Sequence, residues 1–146
     1  MSLQPDELLI KHLFQALLCT LCIACAPLIE TTDGQRLRAT SDEFKDYAAA
    51  IFRQHNATSV NIIETLDVIT QHPQLGLDDH IPQLQAADDQ MLNACAPLNR
   101  FAANRRDGSN SSRSEQLALV NAVPECQRST LNAEKLVSNL YDQIEQ

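Results

Sequence analysis

The sequence predicts an all-α fold, a small helical bundle of three to four helices with one interhelical disulfide. The chain of 146 residues contains only three glycines, and each lies at a break between longer segments: Gly34, Gly76 and Gly108. Between these breaks, apolar residues recur at steps of three and four, the spacing of amphipathic helices rather than strands. Two cysteines, Cys95 and Cys126, lie on the apolar faces of two such helices and can be paired across a hairpin.

Residues 1–24 have the features of an export signal. The run from Leu13 to Ala24, LFQALLCTLCIA, is almost wholly apolar and has the length of a signal-peptide core. Ala24 followed by Cys25 resembles a bacterial lipoprotein cleavage site, and this resemblance implies that Cys25 is lipidated as the first residue of the mature chain. The residue after Cys25 is Ala26, whereas an Asp at this position would resemble an inner-membrane retention signal. The outer membrane is therefore favoured if the source is Gram-negative.

Two other interpretations of this segment stay open. A permanent anchor from Leu13 to Ile29 would be shorter than the roughly 20 residues that a spanning helix needs. The spacing of Cys19, Cys22 and Cys25 resembles three ligands of a bacterial-type iron–sulfur run, but Ile29 occupies the position of the fourth cysteine. Neither alternative matches its pattern completely, so the cleaved signal is the preferred prediction.

The helical domain is expected at 40–146, after a lipidated N-terminus and linker at 25–39. The capping box TSDE at 40–43 predicts that the first helix starts at Thr40. Its apolar face comprises Phe44, Tyr47, Ala48, Ile51, Ile62, Leu66 and Ile69. The middle of this face, from His55 to Ser59, is polar, and we therefore expect a kink or break in the helix there.

Two further helices are predicted to form a hairpin. The second opens near Asp79, with Pro82 in its first turn, and its apolar face comprises Ile81, Leu84, Met91, Cys95, Leu98 and Phe101. The third starts near Ser114, and its face follows the seam spacing of a bundle through Leu119, Val123, Cys126, Thr130, Ala133, Val137, Leu140 and Ile144.

The register of this hairpin predicts the disulfide. Cys95 and Cys126 are equidistant in sequence from a point inside the loop 107–112, and Pro97 and Pro124 are equidistant from the same point. In an antiparallel pair the two cysteines would therefore face each other, beside two prolines that kink their helices at one level. The alternative is a pair of buried thiols that only pack together.

Charge and composition exclude some functions. The chain has 19 acidic and 11 basic residues and a net charge of −8, which disfavours nucleic acid and anionic membrane surfaces as general ligands. An arginine tip, defined as Arg100, Arg105, Arg106 and Arg113, gathers around the loop of the helical hairpin. These side chains either complement the dipole of a helix C-terminus or form a docking site for phosphate, carboxylate or an acidic patch of a partner.

The sequence predicts no catalytic residues, no metal and no cofactor. His12, His55, His72 and His80 have no fixed spacing from Cys95 or Cys126, so no activated thiol is indicated. His72 and His80 with Asp78 and Asp79 have metal-binding side chains, although a solvated turn that caps the second helix is the preferred interpretation. The chain is thus expected not to be an enzyme.

These observations predict an exported, lipid-anchored helical protein on the periplasmic side of a bacterial membrane. It would bind an envelope protein partner in a scaffold, assembly or pilot role, with Cys25 as the anchor and the arginine tip as the contact surface. One alternative is a periplasmic immunity or inhibitor protein whose acidic surface covers a basic active site. Another is a bundle that binds a small ligand or metal at the polar segment from His55 to Ser59.

Overall fold

A computed structural model describes residues 27–39, 41–109 and 112–144, and these residues form three helices and a small β-hairpin. The helices are α1, Asp42–Gln71; α2, Ile81–Arg106; and α3, Arg113–Ile144. The hairpin consists of β1, Leu28–Glu30, and β2, Arg36–Arg38. Two 3-10 turns, Pro73–Leu75 and Asp78–His80, join α1 to α2. The predicted all-α bundle is confirmed, and none of the described helices has the length and hydropathy to cross a membrane.

Helix α1 has its N-terminal cap one residue later than predicted, at Ser41, and the helix has no break. The side-chain oxygen of Ser41 accepts a hydrogen bond from the Phe44 amide at 3.2 Å, so Ser41 is the cap, and Thr40 lies outside the described residues. The helix then continues for 30 residues through the polar segment from His55 to Ser59. The expected break was wrong because these polar side chains find hydrogen-bond partners on α2 and α3 and need not reach solvent.

Helices α2 and α3 form the predicted hairpin, and its disulfide is present. Cys95 and Cys126 are bonded to each other with their Cα atoms 4.6 Å apart, and both side chains are fully buried. Both helices continue through their interior prolines, Pro97 and Pro124. The predicted apolar face of α3 is confirmed, since every member from Leu119 to Leu140 is buried.

Helix α1 lies parallel to α3 along the outside of this hairpin. Two side-chain contacts join residues that are 80 positions apart: Tyr47 with Gln127, and Gln54 with Glu134. A constant difference in numbering means that the two helices run in the same direction and in register. The core is the aliphatic cluster between the three helices, and its largest fully buried apolar side chains are Ile62, Ile69, Leu84, Met91, Leu140 and Val123.

The segment 25–39, expected to be a linker, differs from that expectation over its described part. Strands β1 and β2 pair antiparallel and contact α3 and α1 respectively, and Ile29 is 4% exposed. Their turn is closed by a hydrogen bond from the Gln35 amide to Thr31 Oγ1 at 2.9 Å, with Gly34 at a φ of +82° that favours glycine. Strands of three residues are too short for a period of two to be recognised in the sequence.

Candidate functional site

The arginine tip occupies the end of the α2–α3 hairpin, where the chain turns tightly. Helix α2 ends in a Schellman motif: the Ser109 amide donates to the Asn104 carbonyl at 2.9 Å, and the Gly108 amide donates to the Arg105 carbonyl at 3.3 Å. Gly108 has a φ of +71°, the left-handed conformation that this motif requires. Carbonyls in the last turn of α2 are therefore hydrogen-bonded, and the two consecutive arginines, Arg105 and Arg106, are attached to a rigid backbone.

The start of α3 is fixed by a second capping arrangement. Ser112 and Glu115 form a capping box, in which the Ser112 amide donates to Glu115 Oε2 at 2.7 Å and the Glu115 amide donates to Ser112 Oγ at 3.3 Å. Asn104 Nδ2 also donates to Glu115 at 3.3 Å, which links the end of α2 to α3. These bonds from Ser112 lower the pKa of Glu115, and the positive charge of Arg100 lowers it further.

The described arginines of the tip are exposed and only partly paired. Arg100, Arg105 and Arg106 are all exposed to solvent, and Arg106 Nε lies 3.4 Å from Asp107 Oδ1. Among the described residues, no carboxylate lies within 4.0 Å of Arg100 or Arg105. Arg113 is the first residue of α3, and its side chain lies outside what the structure describes.

The tip projects beyond the first turn of α1. The register of α1 and α3 places Asp42 level with residue 122 of α3, nine residues after the first residue of that helix. At 1.5 Å per residue, the first residue of α3 stands about 13 Å beyond the start of α1. The pairing of Cys95 with Cys126 places Arg100 opposite residue 121, at the level where α1 starts. The disulfide joins the two helices about three helical turns before Arg106, at Cys95. The arrangement presents guanidinium groups on a stapled hairpin, suited to carboxylates or phosphates.

The anchor residue predicted from the sequence, Cys25, and the signal at 1–24 lie outside the described residues. The described chain begins at Pro27, whose carbonyl accepts a hydrogen bond from the Ala39 amide at 3.1 Å. Only Ala26 separates Cys25 from this bond, and Ala39 precedes α1 by two residues. The expected spacer between anchor and bundle is therefore absent from the described part of the segment, because the hairpin occupies it.

The polar segment of α1 is packed between helices. His55 is 2% exposed, and its Nε2 lies 3.2 Å from Asn99 Nδ2 on α2. His55 Nδ1 and Asn99 Oδ1 are both buried without a hydrogen-bond partner. Burial lowers the pKa of His55, while the negative charge of Asp88 acts in the opposite direction. This cluster favours a neutral imidazole at neutral pH.

The residues considered for a metal site, and an open groove on the surface, lie away from the arginine tip. His72 Nδ1 lies 3.2 Å from Gln74 Nε2 in the turn after α1, and Asp78, Asp79 and His80 form the 3-10 turn before α2. Within residues 27–39, 41–109 and 112–144, no group of three or more His, Cys, Asp or Glu side chains is arranged to hold a metal ion. An open groove of about 540 Å³ lies between β1 and α3, lined by Glu30, Thr31, Thr32, Arg128, Leu131 and Asn132.

Sequence reasoning missed the junction at Gln127, which joins three elements. Gln127 Oε1 accepts hydrogen bonds from the hydroxyls of Tyr47 at 2.5 Å and Thr32 at 2.7 Å. Burial, with a further effect of the Asp33 charge, raises the pKa of Tyr47, so its hydroxyl stays a donor. Nothing in the sequence marks Gln127, because it lies one position after the buried Cys126 in a polar stretch of α3.

Comparison with known proteins adds no further information on the site, since no protein-family model, no curated protein and no solved structure matches this chain. Of the sequence-predicted site residues, the fold brings together Cys95 with Cys126, and it places Arg100, Arg105 and Arg106 at one end of one hairpin.

Proposed function

We propose that this chain is an exported, lipid-anchored protein of the bacterial envelope that binds an envelope protein partner through the arginine tip and does no chemistry of its own. The observation that carries the proposal is the set of exposed arginines, Arg100, Arg105 and Arg106, on a capped and disulfide-stapled hairpin end. A rigid backbone loses little conformational entropy of its own when a partner binds. The tip is therefore suited to a partner surface that carries carboxylates.

Export is supported by the disulfide. Cys95 and Cys126 are fully buried at the centre of the hairpin, where a covalent bond closes a loop of 31 residues. Structural disulfides of this kind persist in the periplasm and other oxidising compartments and are rare in the bacterial cytosol. The apolar run before Cys25 supplies the matching export signal in the sequence.

The anchor would hold the bundle close to the membrane in a defined orientation. If Cys25 carries the acyl chains, only Ala26 and Pro27 lie between it and the hairpin. The hairpin leads directly into the first turn of α1, in the half of the bundle from which the arginine tip projects. A partner of the tip would therefore lie near the membrane surface, as a membrane-embedded or membrane-attached component of the envelope does.

The test compares two triple variants that remove the same charge. Arg100, Arg105 and Arg106 are replaced by glutamine in one full-length chain, and the exposed arginines Arg36, Arg38 and Arg53 are replaced by glutamine in the other. Native complexes are extracted from the membrane fraction of the source cells and separated by size. We expect wild type and the second variant to run in a complex, and the tip variant to run as free protein.

The measurement contradicts the proposal in two cases. If wild type runs as free protein, the chain has no stable partner under these conditions and the proposed function is wrong. If both triple variants stay in the complex, the partner binds elsewhere and the tip has only its structural role at the helix C-terminus. Circular dichroism of each purified variant establishes that the helical fold is retained.

A further inference from the structure

Exposed apolar side chains lie on the outer surfaces of α1 and α2, near the Ser59–Asp88 contact between these helices. The seam patch, as we call it, consists of Val60, Ile63 and Leu92, which are 52%, 61% and 40% exposed. Val60 and Ile63 are three residues apart and share the outer face of α1. Leu92 lies on α2, one turn after Asp88, whose carboxylate lies 3.4 Å from Ser59 Oγ.

Most charged residues around the seam patch are acidic, and the exception is Arg53, which is exposed two turns before Val60 on α1. Between Arg53 and Arg100 the sequence has no Lys or Arg, and its acidic residues are Glu64, Asp67, Asp78, Asp79, Asp88 and Asp89. Glu64 and Asp67 lie within one or two turns of Val60 on α1, and Asp88 and Asp89 lie one turn before Leu92 on α2. His55, one turn before Ser59 on α1, is buried, and burial disfavours its positive form.

We propose that the seam patch and its four surrounding carboxylates bind a basic amphipathic segment of a partner protein. Such a segment would place one or two apolar side chains against Ile63 and Leu92 and its Lys or Arg side chains beside Glu64, Asp67, Asp88 and Asp89. The apolar contact supplies buried area, and the charges supply orientation and discrimination between partners. An acidic or neutral partner would leave the carboxylates desolvated without compensation.

A second copy of this chain could offer its arginine tip to the seam patch, but the two chains, each with a net charge of −8, would repel each other. Two seam patches face to face would place carboxylates against carboxylates. The N-terminal segment at 1–24 is unsuited as well, because Lys11 is its only Lys or Arg and it also carries Asp6 and Glu7. The occupant inferred here is therefore a different protein.

This surface is separate from the arginine tip and opposite to it in charge. Leu92 and Arg105 are 13 residues apart on α2, which is about 20 Å along the helix axis. The two surfaces can therefore bind different partners at the same time, an acidic one at the tip and a basic one at the seam patch. The inference does not rest on the proposed function of the tip, and either can fail without the other.

The first experiment places a photo-cross-linking amino acid at position 63 or 92 of the full-length chain, expressed at its native level in the source cells. The control position is 131, because Leu131 is 41% exposed on α3, outside the seam patch. We expect a discrete adduct from positions 63 and 92 and none of that size from position 131. Mass spectrometry of the adduct should map the contact to a segment in which Lys or Arg flank apolar residues.

The second experiment measures binding of that mapped segment, made as a synthetic peptide, to purified variants. Ile63→Asp, and separately the fourfold variant Glu64→Gln, Asp67→Asn, Asp88→Asn, Asp89→Asn, should each weaken binding at least tenfold. The matched variant Leu131→Asp and the tip variant with Arg100, Arg105 and Arg106 replaced by glutamine should bind as wild type does. Circular dichroism controls for folding, and raised salt should weaken the wild-type complex.

Three outcomes overturn the inference. The first is the absence of an adduct from positions 63 and 92 beyond that seen at 131. The second is an adduct whose partner is a second copy of this chain, or whose mapped segment is acidic or uncharged. The third is a peptide affinity that Ile63→Asp and the fourfold neutralisation leave unchanged in folded protein.

Discussion

The side-chain amide of Gln54 on α1 donates to both carboxylate oxygens of Glu134 on α3, at 3.1 and 2.9 Å. Thr58, one turn further along α1, has its hydroxyl 2.9 Å from Glu134 Oε1. Glu134 is half-buried, so its carboxylate keeps some solvent while it accepts these bonds. The apolar face of α1 is interrupted by polar residues in its middle, and there these hydrogen bonds attach α1 to α3.

Removal of this contact should loosen α1 from the hairpin. We expect Glu134→Ala to lower the free energy of unfolding by about 1 to 2 kcal/mol, because the hydrogen bonds that Gln54 and Thr58 donate to a charged acceptor are lost. A double-mutant cycle with Gln54→Ala should give a coupling energy of about 1 kcal/mol by urea denaturation. Glu64→Ala, on the exposed face of α1, should change stability by less than about 0.5 kcal/mol. A coupling energy near zero would show that the contact contributes nothing to stability.

The disulfide should supply a large share of the stability. The loop between Cys95 and Cys126 spans 31 residues, and in the chain-entropy model its closure stabilises the fold by about 3 to 4 kcal/mol. The double variant Cys95→Ala, Cys126→Ala should unfold at correspondingly lower urea concentration, and reductant should destabilise wild type but not the variant. Equal urea midpoints for oxidised and reduced wild type would contradict this prediction.

The free energy of unfolding should decrease as the pH is lowered below neutrality, because of His55. Burial places the pKa of His55 below its unfolded value of about 6.5, so the unfolded state binds the proton more readily. The contribution of the neutral imidazole is present in full above pH ~6.5 and is lost as the pH falls from there toward the folded pKa. We expect wild type to lose more unfolding free energy than His55→Gln between pH 7 and 5.

The Asp88 carboxylate should reduce this effect. Its charge raises the pKa of His55 against the effect of burial, so Asp88→Asn should lower the pKa further in an NMR titration of the imidazole. Asp89→Asn, at the neighbouring exposed position, is the matched control and should shift it less. A pKa of His55 at or above 6.5 in wild type would count against a buried neutral imidazole.

Membrane attachment should depend on one thiol. If Cys25 is the acylated residue, Cys25→Ser should lose its acyl mass and either leave the membrane pellet or keep its uncleaved signal. Wild type should show acyl mass on a chain that begins at residue 25. Cys22→Ser is the control within the same apolar run and should leave the acyl mass unchanged. Wild type that lacks acyl mass, or Cys25→Ser that still gains it, would rule out this anchor.

The helices, their faces and the disulfide could be predicted because they depend on local spacing. Buried Leu119, Val123 and Leu140 follow the seam pattern of α3, and the register of the hairpin alone brings Cys95 opposite Cys126. The hairpin at 28–38 could not be predicted in this way, because three residues of alternation in each strand carry little signal. The expected break at His55 failed for another reason: a buried polar residue is tolerated when a partner such as Asn99 lies on a neighbouring helix.

The sequence by itself determined the fold class, the helical hairpin, the pairing of its cysteines and the gathering of arginines near the loop, since each follows from periodicity, capping or charge along the chain. Only the tertiary structure decided which helices α1 packs against, that the segment before it packs as a hairpin, and that Ile63 and Leu92 each lie one turn from the Ser59–Asp88 contact. Those features depend on contacts between residues far apart in the chain, such as Tyr47 with Gln127 and Ser59 with Asp88. The stability of such contacts depends on residues from two different elements, so the pattern within one segment cannot predict them.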